Sequence, residues 1–322
     1  MSRPTRRRFL QGATLGTASL TVPTFLYGCS KSSGAVVASA TAAPPANPFL
    51  TWFGIDEAMM RTVLAELTRG GADAADLYFQ FTRSNSISLE DGIVSKASSS
   101  IDEGVGLRCV VGDQTGYAFT EDLTLESMKA AARTASAIAN NAAAPAPEVF
   151  TWGEVPSQYN LEVPWSDVGI DTKLPKLQEL EQLARGLDPA VKSVRIWWSD
   201  SEERVLVADA RGFVFTDVRP QTRLWCSITA EKDGVTVSNG ANLAGRKGIE
   251  FYDSEALTTL AQQAIDRTMV LFDARRPPAG EMPVVLAAGA SGILLHEAIG
   301  HGMEADFNRK GVSIYSEMIG KK

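Results

Sequence analysis

"DLYFQFTRSNSISLEDGIVSKASSSIDEGVGLRCVVGDQTGYAFTED", residues 76–122, is the stretch that decides the fold class. From Ala75 onward the apolar period is two, the repeat of a strand whose side chains alternate between faces. Turn signals at Asp91–Gly92 and Gly112–Asp113 break the run into strands close enough to pair antiparallel. Working outward, residues 55–70 space Met59, Val63, Leu64 and Leu67 along one side of a helix that Gly70–Gly71 would stop. A helix is expected over about 124–142, then a Pro- and Asn-containing stretch to about 170, then a helix through "LPKLQELEQLARGL". A second strand set begins at "SVRIWW" and carries the turn sequences "DARG" and "EKDG", a layout like the first. A helix over 254–274 follows, and "RRPPAGEMPVVLAAG" reads as a strand leading into one more helix. Strands, helix, strands, helix is an α+β plan with antiparallel sheets and packed helices, not a doubly wound sheet. Gly104 and Gly106 in "EGVGLR" sit inside the strand pattern with no helix behind them, so they read as shaping a bulge or bend rather than a dinucleotide loop.

The chain has 322 residues, 44% hydrophobic and 21% charged, enough to bury a sizeable core. Its formal charge of −7 becomes −11 without residues 1–28, which hold four arginines and no acids. An acidic body without a basic patch argues against a nucleic-acid partner. Cys29 lies in the leader, so only Cys109 and Cys226 could pair in the body; buried thiols on strands are the simpler reading.

The leader has a charged start, "TRRRFLQ" at 5–11, and then a short apolar run. That pattern is a bacterial signal peptide, and Arg6–Arg7 followed by Phe9–Leu10 gives it the twin-arginine form. The expected location is therefore periplasmic or otherwise outside the cytoplasm. Two cleavage readings stand side by side. "LYGC" at 26–29 resembles a lipobox, which would lipidate Cys29 and anchor the protein to a membrane; "ASA" at 38–40 would release it. Residues 29–50, rich in Ser, Ala and Pro, read as a flexible linker to an N-terminal α+β domain over 51–280.

Both histidines of the sequence fall in "GILLHEAIGHGMEADF", residues 292–307. His296 and His301 are five apart, with Glu297 after the first. On an ideal α-helix that spacing rotates the two imidazoles about 140° apart. One extra residue in the turn, a π-bulge, would bring them together, and Gly300 lowers the steric cost. A metal held by His296 and His301, with Glu297 as general base, is the chemistry such a turn could perform.

"LLHEAIGHGMEADFNRKG", residues 294–311, closely resembles the signature of the TldD/PmbA family of metallopeptidases, in the branch that carries His-Glu-x-x-x-His. "EGVGLRCVVGDQTGYAFTEDLT" resembles the family's N-terminal domain through Gly104, Gly106, Arg108 and Gly116–Tyr117, and the resemblance runs from about residue 55 to 322. It implies a peptidase that uses zinc (Zn2+) to cut unstructured peptides, assembled as a homo- or heterodimer around an enclosed cavity. His296 and His301 would be ligands and Glu297 the base. The third ligand would be a cysteine of a C-terminal β-rich domain, which this sequence, expected to be truncated within the catalytic domain that starts near 281, does not reach. Neither Cys109 nor Cys226 stands in a matching place. The alternative implied by the family is a non-catalytic subunit that shapes an active partner's cavity, although that branch lacks the histidine motif. Residues 292–305 are expected to be helical, with 306–322 trailing away.

Overall fold

A computed structural model describes residues 47–138, 146–153, 155–156, 158–159, 161–318 and 320–321. The expected signal peptide, Cys29 and most of the expected linker lie outside the described residues, as does the end of the helix expected at 124–142. The last linker residues do have structure. Asn47 accepts the amide of Phe49 and caps a short helix, α1 (Pro48–Phe53), so the linker expected to reach residue 50 ends sooner. Pro48 suits the first turn, where its missing N–H leaves no bond unmade.

The body is two successive units of one plan, a helix, a three-stranded meander and a helix. The first is α2 (Glu57–Leu67), β1 (Ala74–Glu90), β2 (Ile93–Val111), β3 (Gln114–Thr120) and α3 (Leu125–Ser136). A short strand, β4 (Thr151–Gly153), leads to the second: α4 (Ile170–Gly186), β5 (Val191–Asp209), β6 (Phe213–Lys232), β7 (Val235–Gly245) and α5 (Ser254–Met269). Asp56, Thr124 and Asp253 cap α2, α3 and α5 by accepting the amides three residues on. The hairpin turns take the geometry their sequences call for. Asp91–Gly92 and Asp233–Gly234 both have positive φ, 49° and 81°, then 51° and 76°. This is the pairing that matches the twist of two-residue hairpins.

The two strand sets, expected as separate sheets, form one. β1 and β5 pair antiparallel from Asp76↔Asp209 to Glu90↔Arg195, giving the order β3-β2-β1-β5-β6, with β7 and the parallel β4 on the far edge of β6. The alternation of side chains explains the joint. Leu77 and Phe79 pack into one core with α2 and α3, and Ile87 and Leu89 into a second with α4 and α5. All four point to the same face of β1, so a single sheet carries both helix pairs on one side. The opposite face of the central strands holds polar residues such as Ser84, Ser86, Ser199 and Ser201.

A buried polar knot sits in the second core. Lys173 donates to Asp200 at 2.6 Å, and the same carboxylate accepts from Trp198 Nε1 at 2.7 Å and Asn85 Nδ2 at 2.8 Å. The Lys173 and Asp200 side chains are 3% and 0% exposed, so the pair is held by bonds rather than by solvent. Cys109 and Cys226 are free and buried on β2 and β6, as read from the sequence.

Two other expectations are corrected. The helix expected over 254–274 is α-helical only to Met269 and finishes as a 3-10 turn, Val270–Asp273. Residues 281–288, expected as a strand, form none: Val284, Val285 and Leu286 are exposed and no described strand lies beside them. β-branched composition favours a strand only where a neighbour supplies the ladder. None of the described helices is long and apolar enough to cross a membrane.

Candidate metal centre

After residues 281–288 the chain winds into α6 (Ser291–Leu295), a π turn (His296–Gly300), a 3-10 turn (His301–Met303) and α7 (Ala305–Arg309). The π turn is the bulge that the five-residue spacing calls for. The amide of His301 bonds to the carbonyl of His296, an i to i+5 bond that stacks residues five apart on one side. The two imidazole centres are 4.4 Å apart, inclined at 67°. Gly300 makes room for this arrangement, since a Cβ there would stand 3.1 Å from His296 Nδ1.

One donor atom each of His296, Glu297 and His301 lies within 4.8 Å of the others. Glu297 Oε2 is 3.4 Å from His301 Nε2. The far side of the ring is fixed by Glu304, whose Oε1 is 2.6 Å from His301 Nδ1. That bond, aided by the charges of Glu297 and Glu304, raises the His301 pKa. With Nδ1 occupied by a carboxylate, Nε2 is the nitrogen turned toward His296 and Glu297. This is how an outer carboxylate orients a ligand imidazole.

The sequence singled out His296, Glu297 and His301, and the structure brings all three together. It missed Glu304, although a carboxylate three residues after a candidate ligand in a helical turn was the available signal. Of the segment 306–322, expected to trail away, the described residues 306–318 fold back instead. Asn308 Nδ2 donates to the carbonyls of Gly302 and Glu304 at 2.9 and 2.8 Å, and Ser313 Oγ also bonds to Gly302. Gly302 is needed under the Tyr315 ring, which a Cβ would meet at 2.5 Å. Arg309 reaches Asp113 in the β2–β3 turn at 2.6 Å, tying the motif segment to the sheet.

Three regions match family models: residues 75–139 the PmbA/TldA metallopeptidase domain 1, 163–272 the central domain and 279–322 the C-terminal domain. The Metalloprotease TldD homolog of Haemophilus influenzae is 33% identical over 283 residues, 86% of this chain and 59% of the relative. The chain belongs to the PmbA/TldD metallopeptidase family. The counterpart from Buchnera aphidicola of Acyrthosiphon pisum is 31% identical over 80% of this chain and 55% of its own length. The Zinc metalloprotease TldD homolog of Saccharolobus solfataricus is 26% identical over 76% and 53%. The chain thus spans little more than half the length of these relatives. A crystal structure of a Bacteroides thetaiotaomicron protein named for modulation of DNA gyrase superposes with a TM-score of 0.61 at 16% identity. It covers 81% of this chain and 60% of the other, and speaks for the fold alone.

The donor set of this PmbA/TldD member fits a divalent ion of the zinc type, which favours imidazole nitrogen with carboxylate oxygen. The side chains of His301 and Glu297 remain 53% and 60% exposed, so the described residues form one open side of a site rather than a closed cage.

Proposed function

We propose that this protein is a zinc-dependent metallopeptidase that hydrolyses unstructured peptides. The observation that carries the reading is the π turn, which converts a five-residue spacing useless on an α-helix into two converging imidazoles with a carboxylate beside them. When bound, a zinc ion would polarise the scissile carbonyl and acidify the attacking water. His296 and His301 would hold the ion, with Glu304 keeping His301 turned inward. Glu297 accepts the water's proton and delivers it to the leaving amine. By resemblance, a cysteine of a β-rich domain supplies the remaining ligand, and a dimer with itself or a relative encloses the substrate. Export in folded form through the twin-arginine route would place this chemistry outside the cytoplasm, with Cys29 as an optional lipid anchor.

The test is metal content and hydrolysis in the full-length protein. About one zinc per chain is expected, lost on His296→Ala or His301→Ala. Glu297→Gln should keep the metal and lose most hydrolysis, because an amide fills the same space but accepts no proton. Absence of metal in the wild type overturns the reading, and full activity in Glu297→Gln removes that residue as the base.

A further inference from the structure

The motif "EGVGLRC…TGYAF" does not touch the metal centre, yet it helps to line a large concavity. A groove of about 880 Å³ lies on the helix-free side of the sheet. A smaller one of about 260 Å³ adjoins it, and the two share Tyr78, Gly106 and Tyr117. Gly104 and Gly106 do not mark a bulge here, for they sit in regular register opposite Gln80 and Tyr78. What they supply is space. A Cβ on Gly106 would lie 2.7 Å from the Tyr117 hydroxyl, so the tyrosine ring lies across the bare backbone as a wall between the grooves. Tyr117 is 62% exposed, and Phe119 beside it on the edge strand β3 is 68% exposed.

The grooves are lined by the carboxylates of Asp73, Asp76, Asp102, Glu121 and Asp209 and by two guanidiniums, whereas Glu103 pairs with Phe81 on the helix-bearing face. The two arginines are already accommodated in the manner the site favours. Arg211 lies 5.3 Å over the Phe213 ring and pairs with Asp209 at 2.6 Å, and Arg108 pairs with Asp76 at 2.6 Å. Asp102 and Glu121 hold no ion pair among the described residues. Charge complementarity therefore selects a cationic occupant, with aromatic faces to stack on it. A chain of contacts runs from the larger groove to the motif segment. Asp73, on the groove wall, accepts the amide of Gly112 at 2.7 Å, and the next residue, Asp113, is the one that Arg309 of the motif segment reaches.

We infer that these grooves bind lysine or arginine side chains of an extended peptide, with Tyr117 as the specificity-determining residue. The inference rests on the peptidase reading for its occupant, but its test does not depend on cleavage. Full-length Glu297→Gln protein is titrated at low salt with fluorescein-labelled Gly/Ser-rich decapeptides carrying either two arginines or two glutamines, and anisotropy is followed. The arginine peptide should bind about tenfold more tightly. Tyr117→Ala and Gly106→Val should erase most of that preference, whereas Tyr117→Phe, which keeps the ring, should retain it. Circular dichroism of each variant reports folding, and Tyr117→Phe alone decides the matter if the others unfold, since loss of preference there overturns the cation–ring contact. Equal affinity for the two peptides, or an unchanged preference in folded Tyr117→Ala, overturns the inference. Preferential binding without hydrolysis by the wild type supports the grooves and sinks the peptidase; hydrolysis without preference does the reverse.

Discussion

Glu304 shows how one side chain can govern another's chemistry. A histidine at an exposed turn samples several rotamers and both tautomers, and only one arrangement presents Nε2 to His296 and Glu297. The 2.6 Å bond from Glu304 to Nδ1 selects it. Removing such an outer partner typically lowers metal affinity about 10–100-fold. Glu304→Ala is therefore expected to weaken zinc binding within that range, read by competition with a chelating dye, while the backbone of the π turn persists. Unchanged affinity would show that His301 is oriented by something else. The histidines were legible as a candidate site because they are scarce and clustered, and Glu297 because it stands between them. Glu304 was not, because glutamates are common near helix ends and only its distance to the imidazole distinguishes it.

Among the elements, α4 and β5 are joined by a bond that sequence patterns do not announce. Lys173 falls on the buried side of α4 and Asp200 on the buried side of β5, and each is tolerable only because the other is there. Lys173→Met would leave the Asp200 carboxylate with Trp198 and Asn85 but without a cation. A loss of roughly 3–5 kcal/mol is expected from stranding a buried charge, measured by denaturant unfolding; a loss under about 1 kcal/mol would mean that the two neutral donors suffice.

The β1–β2 turn offers a pH test at the same scale. The Asp91 carboxylate accepts the Val194 amide at 3.0 Å and bonds to Ser193 and Arg185, which together hold its pKa below the usual value. A depressed folded pKa contributes stability that is present above the unfolded pKa, near 4, and is lost as pH falls through the folded value. Asp91→Asn, which keeps the left-handed turn accessible, should therefore lower the melting temperature at pH 7, a deficit that shrinks below about pH 4 and is gone once the pH has fallen through the folded value. A deficit that persists in acid would assign the effect to turn geometry instead of charge.

At the scale of the whole molecule, the proposed export address falls in residues 1–28 and the described fold begins at Asn47. The paired arginines Arg6 and Arg7 are expected to be read as a pair of guanidiniums, not as bare charge. Arg6→Lys with Arg7→Lys should leave precursor in the cytoplasm, visible by fractionation and immunoblotting, and undiminished export would refute the twin-arginine assignment. Local rules sufficed for much of the body. Period-two patterning, Asp-Gly turns and capping residues act over a few positions, and so the strands β1 to β3, the helix α2 and the hairpins could be read directly. The five-residue histidine spacing likewise demanded a π turn, because no regular helix satisfies it. What tertiary structure alone decided was every pairing between distant segments. Nothing local says that β1 lies against β5 and fuses two strand sets into one sheet, or that residues 281–288 find no partner. Nor does anything local say that Gly106 serves the Tyr117 ring, or that Arg309 closes on Asp113. Those outcomes depend on which apolar faces meet and which backbone groups are satisfied across more than a hundred residues of chain, and that competition is settled only when the whole core closes.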